Sequence, residues 1–351
     1  MAARTRRAKA KARPIKRKTV IISTARDLPP RPPERYMTIM AQDPAVRRDD
    51  GRILMAKVAI PAEDLKEGPT GYRVQVVDFD STTRTFKGAH VLPASYDDEP
   101  KAWKDGKASV VKDVRFHAQN AYAIVMKTLA RFEFALGRRI GWSFETHQLK
   151  VAPHGMADAN AFYSPDIEGL VLGYFDVPED SGGAAKNGGT KRVFTCLSHD
   201  VIVHETTHAL LDALRDRYMD PSTPDQGAFH EGFADVVALL SVFALPEVVE
   251  HLLCRGQHIK GPVPMVARAQ VTEDALCNSA LFALADEMGE ALEGIRGGAL
   301  RTSARMTPSP ALKDTEEFLE PHRRGELFVA AVLRGFIAAW SERILTMGTA
   351  D

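Results

Sequence analysis

Three cysteines in 351 residues, none of them in a Cys-x-x-Cys pair, leave no material for a disulfide framework or a cysteine-cage metal site. Cys196, Cys254 and Cys277 stand singly, an odd and unpatterned set that fits a reducing compartment. Apolar runs are short. None approaches the roughly eighteen residues that a membrane-crossing helix needs, and the N-terminus lacks the apolar core of a secretory signal. These absences lead to the expectation of a cytoplasmic chain with no membrane span. Net charge is also lacking, since 46 basic residues balance 46 acidic ones, so any electrostatic attraction is local. No internal repeat is visible.

Local charge sits at the start of the chain. Arg4, Arg6, Arg7, Lys9, Lys11, Arg13, Lys16, Arg17 and Lys18 all precede the first acid, Asp27. With Pro29-Pro30-Arg31-Pro32-Pro33 following, residues 1–36 read as a basic, proline-rich, disordered tail. A weak contact with nucleic acid or an anionic surface is the sharper alternative, and an organellar transit segment a further one. Residues 37–110 read as a small β-rich lead-in, with Tyr72 to Asp80 alternating as one strand. A helix from Phe116 to Arg139, a strand from Trp142 to Val151, a strand at Asn160 and another from Gly169 to Val177 make residues 111–200 a sheet half. Ser181 to Thr190 reads as a glycine-rich loop. Residues 201–351 read as mostly helical, including Glu273 to Ile295 and Glu326 to Ile344. The fold class expected is α+β.

One pentad within this frame carries chemistry. His204-Glu205-Thr206-Thr207-His208 sets two imidazoles at i and i+4 of a helix, on one face, with a carboxylate next to the first. Ser198 and Asp200 supply an N-cap and a first-turn acid, and Val201, Ile202, Val203, Ala209, Leu210 and Leu211 make the helix apolar around the pentad. Burying two imidazoles and a carboxylate without partners is costly, and a shared metal ion removes that cost. Zinc suits imidazole nitrogen and keeps an open position in catalytic sites. A second apolar helix, Ala228 to Leu240, places Glu231 as a third ligand and Asp235 one turn on, where it can fix the tautomer of a metal-bound histidine. A metzincin pattern is excluded because Leu211 and Leu214 stand where Gly and His would be.

These residues carry a family resemblance. The chain resembles the gluzincins, and among them the thermolysin-like metallopeptidases, in His-Glu-x-x-His followed by Glu-x-x-x-Asp on the next helix. Asp200-Val-Ile-Val, Asp212 and Gly227-Ala228 resemble the flanks of that family, and the likeness runs over about residues 110 to 351, weakening away from the pentad. The resemblance implies a zincin fold, a mixed sheet half followed by a mostly helical half. It implies Zn2+ on His204, His208 and Glu231, with Asp235 behind the ligands and Glu205 as general base. Asn160, Ala161 and Phe162, ahead of Tyr163, are similar to the family's edge strand and would hold a peptide or protein substrate by its backbone. Tyr218 and His322 would donate to the developing oxyanion, with Glu317 or Glu320 orienting His322.

The expected function is a zinc metallopeptidase, an endopeptidase by this resemblance. Two alternatives are a catalytically weak gluzincin acting as a binding or scaffold protein, and a zinc aminopeptidase. Among the other histidines, His230 points about 100° from Glu231 on its helix and is expected behind the ligands. His154 reads as a loop residue near the substrate strand, and His90, His117, His147, His199, His251 and His258 show no partner pattern. Asp166, Glu168, Asp176, Glu179 and Asp180 match no EF-hand calcium loop, so zinc alone is expected.

Overall fold

The computed structural model describes residues 33–178, 190–215, 220, 222–254, 266–277 and 306–347. Most of the basic tail, the glycine-rich loop to residue 189, Tyr218, and all but the start of the helix read from Glu273 lie outside the described residues. The described chain is mixed α+β.

Glu34–Met40 (β1) and Met55–Pro61 (β2) form an antiparallel pair, Met37 opposite Val58 and Ile39 opposite Ala56. β1 thus starts inside the range read as tail. A single turn, Lys101–Lys104 (α1), precedes Val114–Leu136 (α2), whose N-cap Asp113 accepts from the Arg115 N–H and whose C-cap is Gly137. From Phe116 to Met126 every α2 side chain is buried, so the helix runs through the core. Its polar side chains are satisfied there. Gln119 donates to the Thr38 carbonyl and to Glu99, while Asn120 accepts from the Met40 N–H and donates to the Cys196 carbonyl. α2 therefore ties β1 to the turn that leads into the motif helix.

Val74–Val76 (β3) is followed by a small hairpin of Phe79–Asp80 (β4) and Thr85–Phe86 (β5). The larger sheet runs in the order β3, Leu149–Met156 (β6), Gly169–Pro178 (β8), Ala161–Ser164 (β7). β3, β6 and β8 are parallel, and β7 is antiparallel to β8 with Ala161 opposite Leu172. Thr190–Phe194 (β9) pairs antiparallel with the later part of β8. Two strand expectations need correction. Tyr72 to Asp80 is not one strand, because Asp78 turns inward to bind two histidines and interrupts the alternation. The strand expected from Trp142 starts only at Leu149. Trp142 instead stacks on Phe144 and donates from Nε1 to the Arg73 carbonyl.

The second half is helical: His199–Leu214 (α3), Pro224–Phe243 (α4), Pro246–Cys254 (α5), Glu273–Cys277 (α6) and Pro321–Met347 (α7). Thr223 caps α4 by accepting from the Gln226 N–H, with Pro224 at the first helical position. Among the described residues no single helix is long and apolar enough to cross a membrane. α4 and α7 approach closely through Gly232 and Gly325. A Cβ on Gly325 would lie 2.9 Å from the Ala228 carbonyl oxygen and 3.0 Å from the Gly232 nitrogen. Gly325→Ala is therefore expected to force the helices apart and cost about 1–3 kcal/mol despite its better helix propensity. Urea denaturation would show it as a lower midpoint at an unchanged slope.

Candidate metal centre

α3 is buried almost all round, so its polar side chains must find partners within reach. Thr206 and Thr207 do so inside the helix, donating to the Ile202 and Val203 carbonyls at 2.6 and 2.7 Å. Ser198 stands at the N-cap position but spends its hydroxyl on Asp200 rather than on a helix N–H. His204 and His208 share the face turned to α4. Their rings lie nearly perpendicular, at 88°, and their Nε2 atoms are 2.9 Å apart.

α4 brings two carboxylates to this pair. Asp235 Oδ1 lies 2.8 Å from His204 Nδ1, so that nitrogen carries a hydrogen, and Nε2 is the atom that can take a metal once its own proton is lost. Glu231 Oε2 lies 3.3 Å from His204 Nε2 and 3.5 Å from His208 Nε2. This oxygen is buried and accepts no hydrogen bond among the described residues, and His208 Nδ1 is likewise unsatisfied. Ligands about 2.0–2.1 Å from a tetrahedral zinc stand about 3.3 Å from one another. The separations of 2.9, 3.3 and 3.5 Å fit that requirement. His204, His208 and Glu231 thus form a group able to hold a metal ion. Two imidazoles and a carboxylate are also the donor set that leaves a coordination position open.

Electrostatics point the same way. Burial works to depress His204, but the Asp235 and Glu231 carboxylates overcome it and lift the imidazole to about 10. Burial works to raise Glu231, and the two imidazoles reverse this and hold it well below the usual carboxylate range. In metal-free protein His204 then keeps its proton at neutral pH. That proton stabilises the metal-free fold fully below the ordinary histidine value of 6.5, and its contribution is lost as pH rises towards about 10. A metal ion must displace the same proton. Binding of a metal ion here is expected to release protons and to tighten with rising pH. Calorimetric titrations in buffers of different ionisation enthalpy measure this directly, and buffer-independent heats would count against it.

The other expected site residues distribute as follows. Glu205 is buried, and its Oε2 accepts the Tyr163 backbone N–H at 3.0 Å, which sets the carboxylate between α3 and β7. Asp212 locks this arrangement, accepting from the Tyr163 hydroxyl at 2.8 Å and from Ser143 at 2.5 Å. β7 ends the strand order β3-β6-β8-β7. Ala161 and Phe162 lie in it, Phe162 with its ring exposed, and Asn160 precedes it, with Oδ1 on the Ala161 N–H and its carbonyl on the Gly173 N–H. His322, the second residue of α7, is half exposed and brings Nε2 to 3.4 Å from Glu231 Oε2. Of the two acids offered as its orienting partner, Glu320 makes the contact, Oε1 to His322 Nδ1 at 2.6 Å. Glu317 is engaged by Arg323. His230 stacks on the His208 ring at 4.4 Å and 10°, and burial, then the neighbouring His208, lowers it to about 4. Tyr218 lies outside the described residues.

The structure corrects the expectation for His154 and gives His90 and His117 partners that no sequence pattern announced. His154 is buried in β6, not in a loop by the cleft, and bonds Asp78 through Nδ1 and His117 through Nε2, both at 2.8 Å. His90 bonds the other Asp78 oxygen at 2.8 Å. No linear pattern could signal these partners, since they are 12 to 76 residues apart. No protein-family model and no curated protein matches this chain.

Proposed function

We propose that this chain is a zinc-dependent metallopeptidase of the gluzincin type, built on a thermolysin-like arrangement of a mixed sheet and a helical half. One observation carries the reading. Glu205, next in sequence to the ligand His204 on α3, is anchored to the backbone of β7, the strand that this reading assigns to the substrate. On this reading a base, a metal-holding group and a strand for the substrate backbone adjoin, which is what hydrolysis of an extended chain requires.

Zinc bound by His204, His208 and Glu231 would supply a Lewis acid and lower the pKa of a water toward neutrality. Asp235 holds the His204 tautomer that presents Nε2. The peptide lies along β7 and pairs with the outward backbone groups that remain beside Phe162, the Ala161 and Tyr163 N–H groups being taken by Asn160 and Glu205. Glu205 takes a proton from the attacking water and delivers it to the departing amine. His322, held by Glu320, donates to the negative charge growing on the carbonyl oxygen. Internal cleavage is the leading form of this reading, and aminopeptidase action is the alternative.

The test is a mixed peptide library incubated with zinc-loaded and chelator-stripped protein, with products read by mass spectrometry. Internal cleavage that disappears on stripping and returns with zinc is the expected result. Zinc-loaded protein that cleaves nothing would overturn the peptidase reading and leave a metal-binding scaffold.

A further inference from the structure

A second group of metal-ligating side chains lies outside the cleft. His117 on α2, His154 on β6 and Cys196 in the turn before α3 place a ligand atom each within 4.8 Å of one another. All three are buried. We propose that they form a second, structural site for a thiophilic divalent ion of zinc type, clamping α2 and β6 to the turn that starts the motif helix.

The hydrogen-bond pattern around the rings carries the argument. His117 Nε2 lies 2.9 Å from the Val111 carbonyl oxygen, which can only accept, so this nitrogen bears a hydrogen. His154 Nδ1 lies 2.8 Å from the Asp78 carboxylate and bears one too. Their other nitrogens, His117 Nδ1 and His154 Nε2, then face each other at 2.8 Å with nothing to donate unless a further cation intervenes. The cleft shows the same construction: an outer nitrogen anchored on a carboxylate and two inner nitrogens 2.9 Å apart. Metal-bound histidines characteristically anchor their second nitrogen on a carboxylate or a backbone carbonyl, and this pair uses one of each.

A proton shared between the rings is the competing occupant. It has no use for the third donor, the Cys196 sulfur, whereas a thiophilic ion does. Charge also balances for a divalent ion. When it binds, the Cys196 thiol gives up its proton to solvent, and the thiolate with the Asp78 carboxylate offsets two positive charges in a buried site. The Phe194 ring, 4.7 Å from His117 and 5.4 Å from His154, closes the group from one side. Three donors fill three of the four positions of a tetrahedral ion, and it is the complete burial of the group among α2, β6 and the turn before α3, not the number of its donors, that gives the site a structural character. This proposal stands apart from the reading of the cleft and survives its failure.

The experiment uses the full chain with His204→Ala and His208→Ala, which empties the cleft, expressed with zinc and analysed for every metal after desalting. The expected result is about one ion per chain, retained in chelator until the protein is unfolded. Adding Cys196→Ala should abolish it. A chain with no bound metal, or with an ion indifferent to Cys196→Ala, overturns the proposal. Should Cys196→Ala fail to fold, the same background with Cys254→Ser and Cys277→Ser leaves Cys196 as the one thiol, and refolding with Co2+ should give a thiolate-to-cobalt charge-transfer band. Absence of that band in folded protein also overturns it.

Discussion

Glu205→Gln is expected to cut peptide hydrolysis by about 10²–10⁴-fold while zinc stays bound, because the amide keeps the size of the carboxylate but cannot accept a proton. The Tyr163 N–H can still donate to the amide oxygen, so the link between α3 and β7 survives and folding should change little. The loss should fall on kcat more than on KM, since the proton transfer assigned to Glu205 is made only in the transition state. Steady-state rates with metal content measured on the same samples decide it. A variant that keeps both zinc and most of its rate removes Glu205 as the base.

Asp78→Ala is expected to produce a large stability loss away from the metal centre. The side chain is buried, and its two oxygens each hold a buried or nearly buried imidazole at 2.8 Å. Removing one member of such a group leaves the others desolvated and unpaired, at a cost of about 3–5 kcal/mol. That is a large share of the roughly 5–15 kcal/mol that holds a domain folded. Denaturant titration should rank the three proteins in stability as wild type, then Asp78→Asn, then Asp78→Ala, because Asn keeps one acceptor. An Asp78→Ala protein within about 1 kcal/mol of wild type would show that the network is solvated and carries little.

What could be read from the sequence follows from period. His204 and His208, and again Glu231 and Asp235, are one helical turn apart, so the grouping of the two faces was legible once both segments read as helices. The long buried α2 was legible for the same reason. Contacts made by the backbone or across long loops were not. Nothing in residue order indicates that Glu205 takes the Tyr163 N–H, that Glu320 rather than Glu317 serves His322, or that Asp78 leaves its strand to gather His90 and His154. The break at Asp78 illustrates the physical reason. An alternating pattern records which face a side chain prefers, but two buried imidazoles seeking a carboxylate outweigh one residue's place in that alternation. The His117, His154 and Cys196 group comes from three separate elements and so had no spacing to reveal it.

The central claim is that His204, His208 and Glu231 hold one metal ion between α3 and α4. Crystals of the zinc-loaded chain measured on both sides of the zinc absorption edge test it most directly. The account predicts an anomalous peak about 2.0–2.2 Å from His204 Nε2, His208 Nε2 and a Glu231 oxygen, with His204 Nδ1 still on Asp235. A zinc-loaded crystal with these three side chains ordered and no peak between them would contradict it.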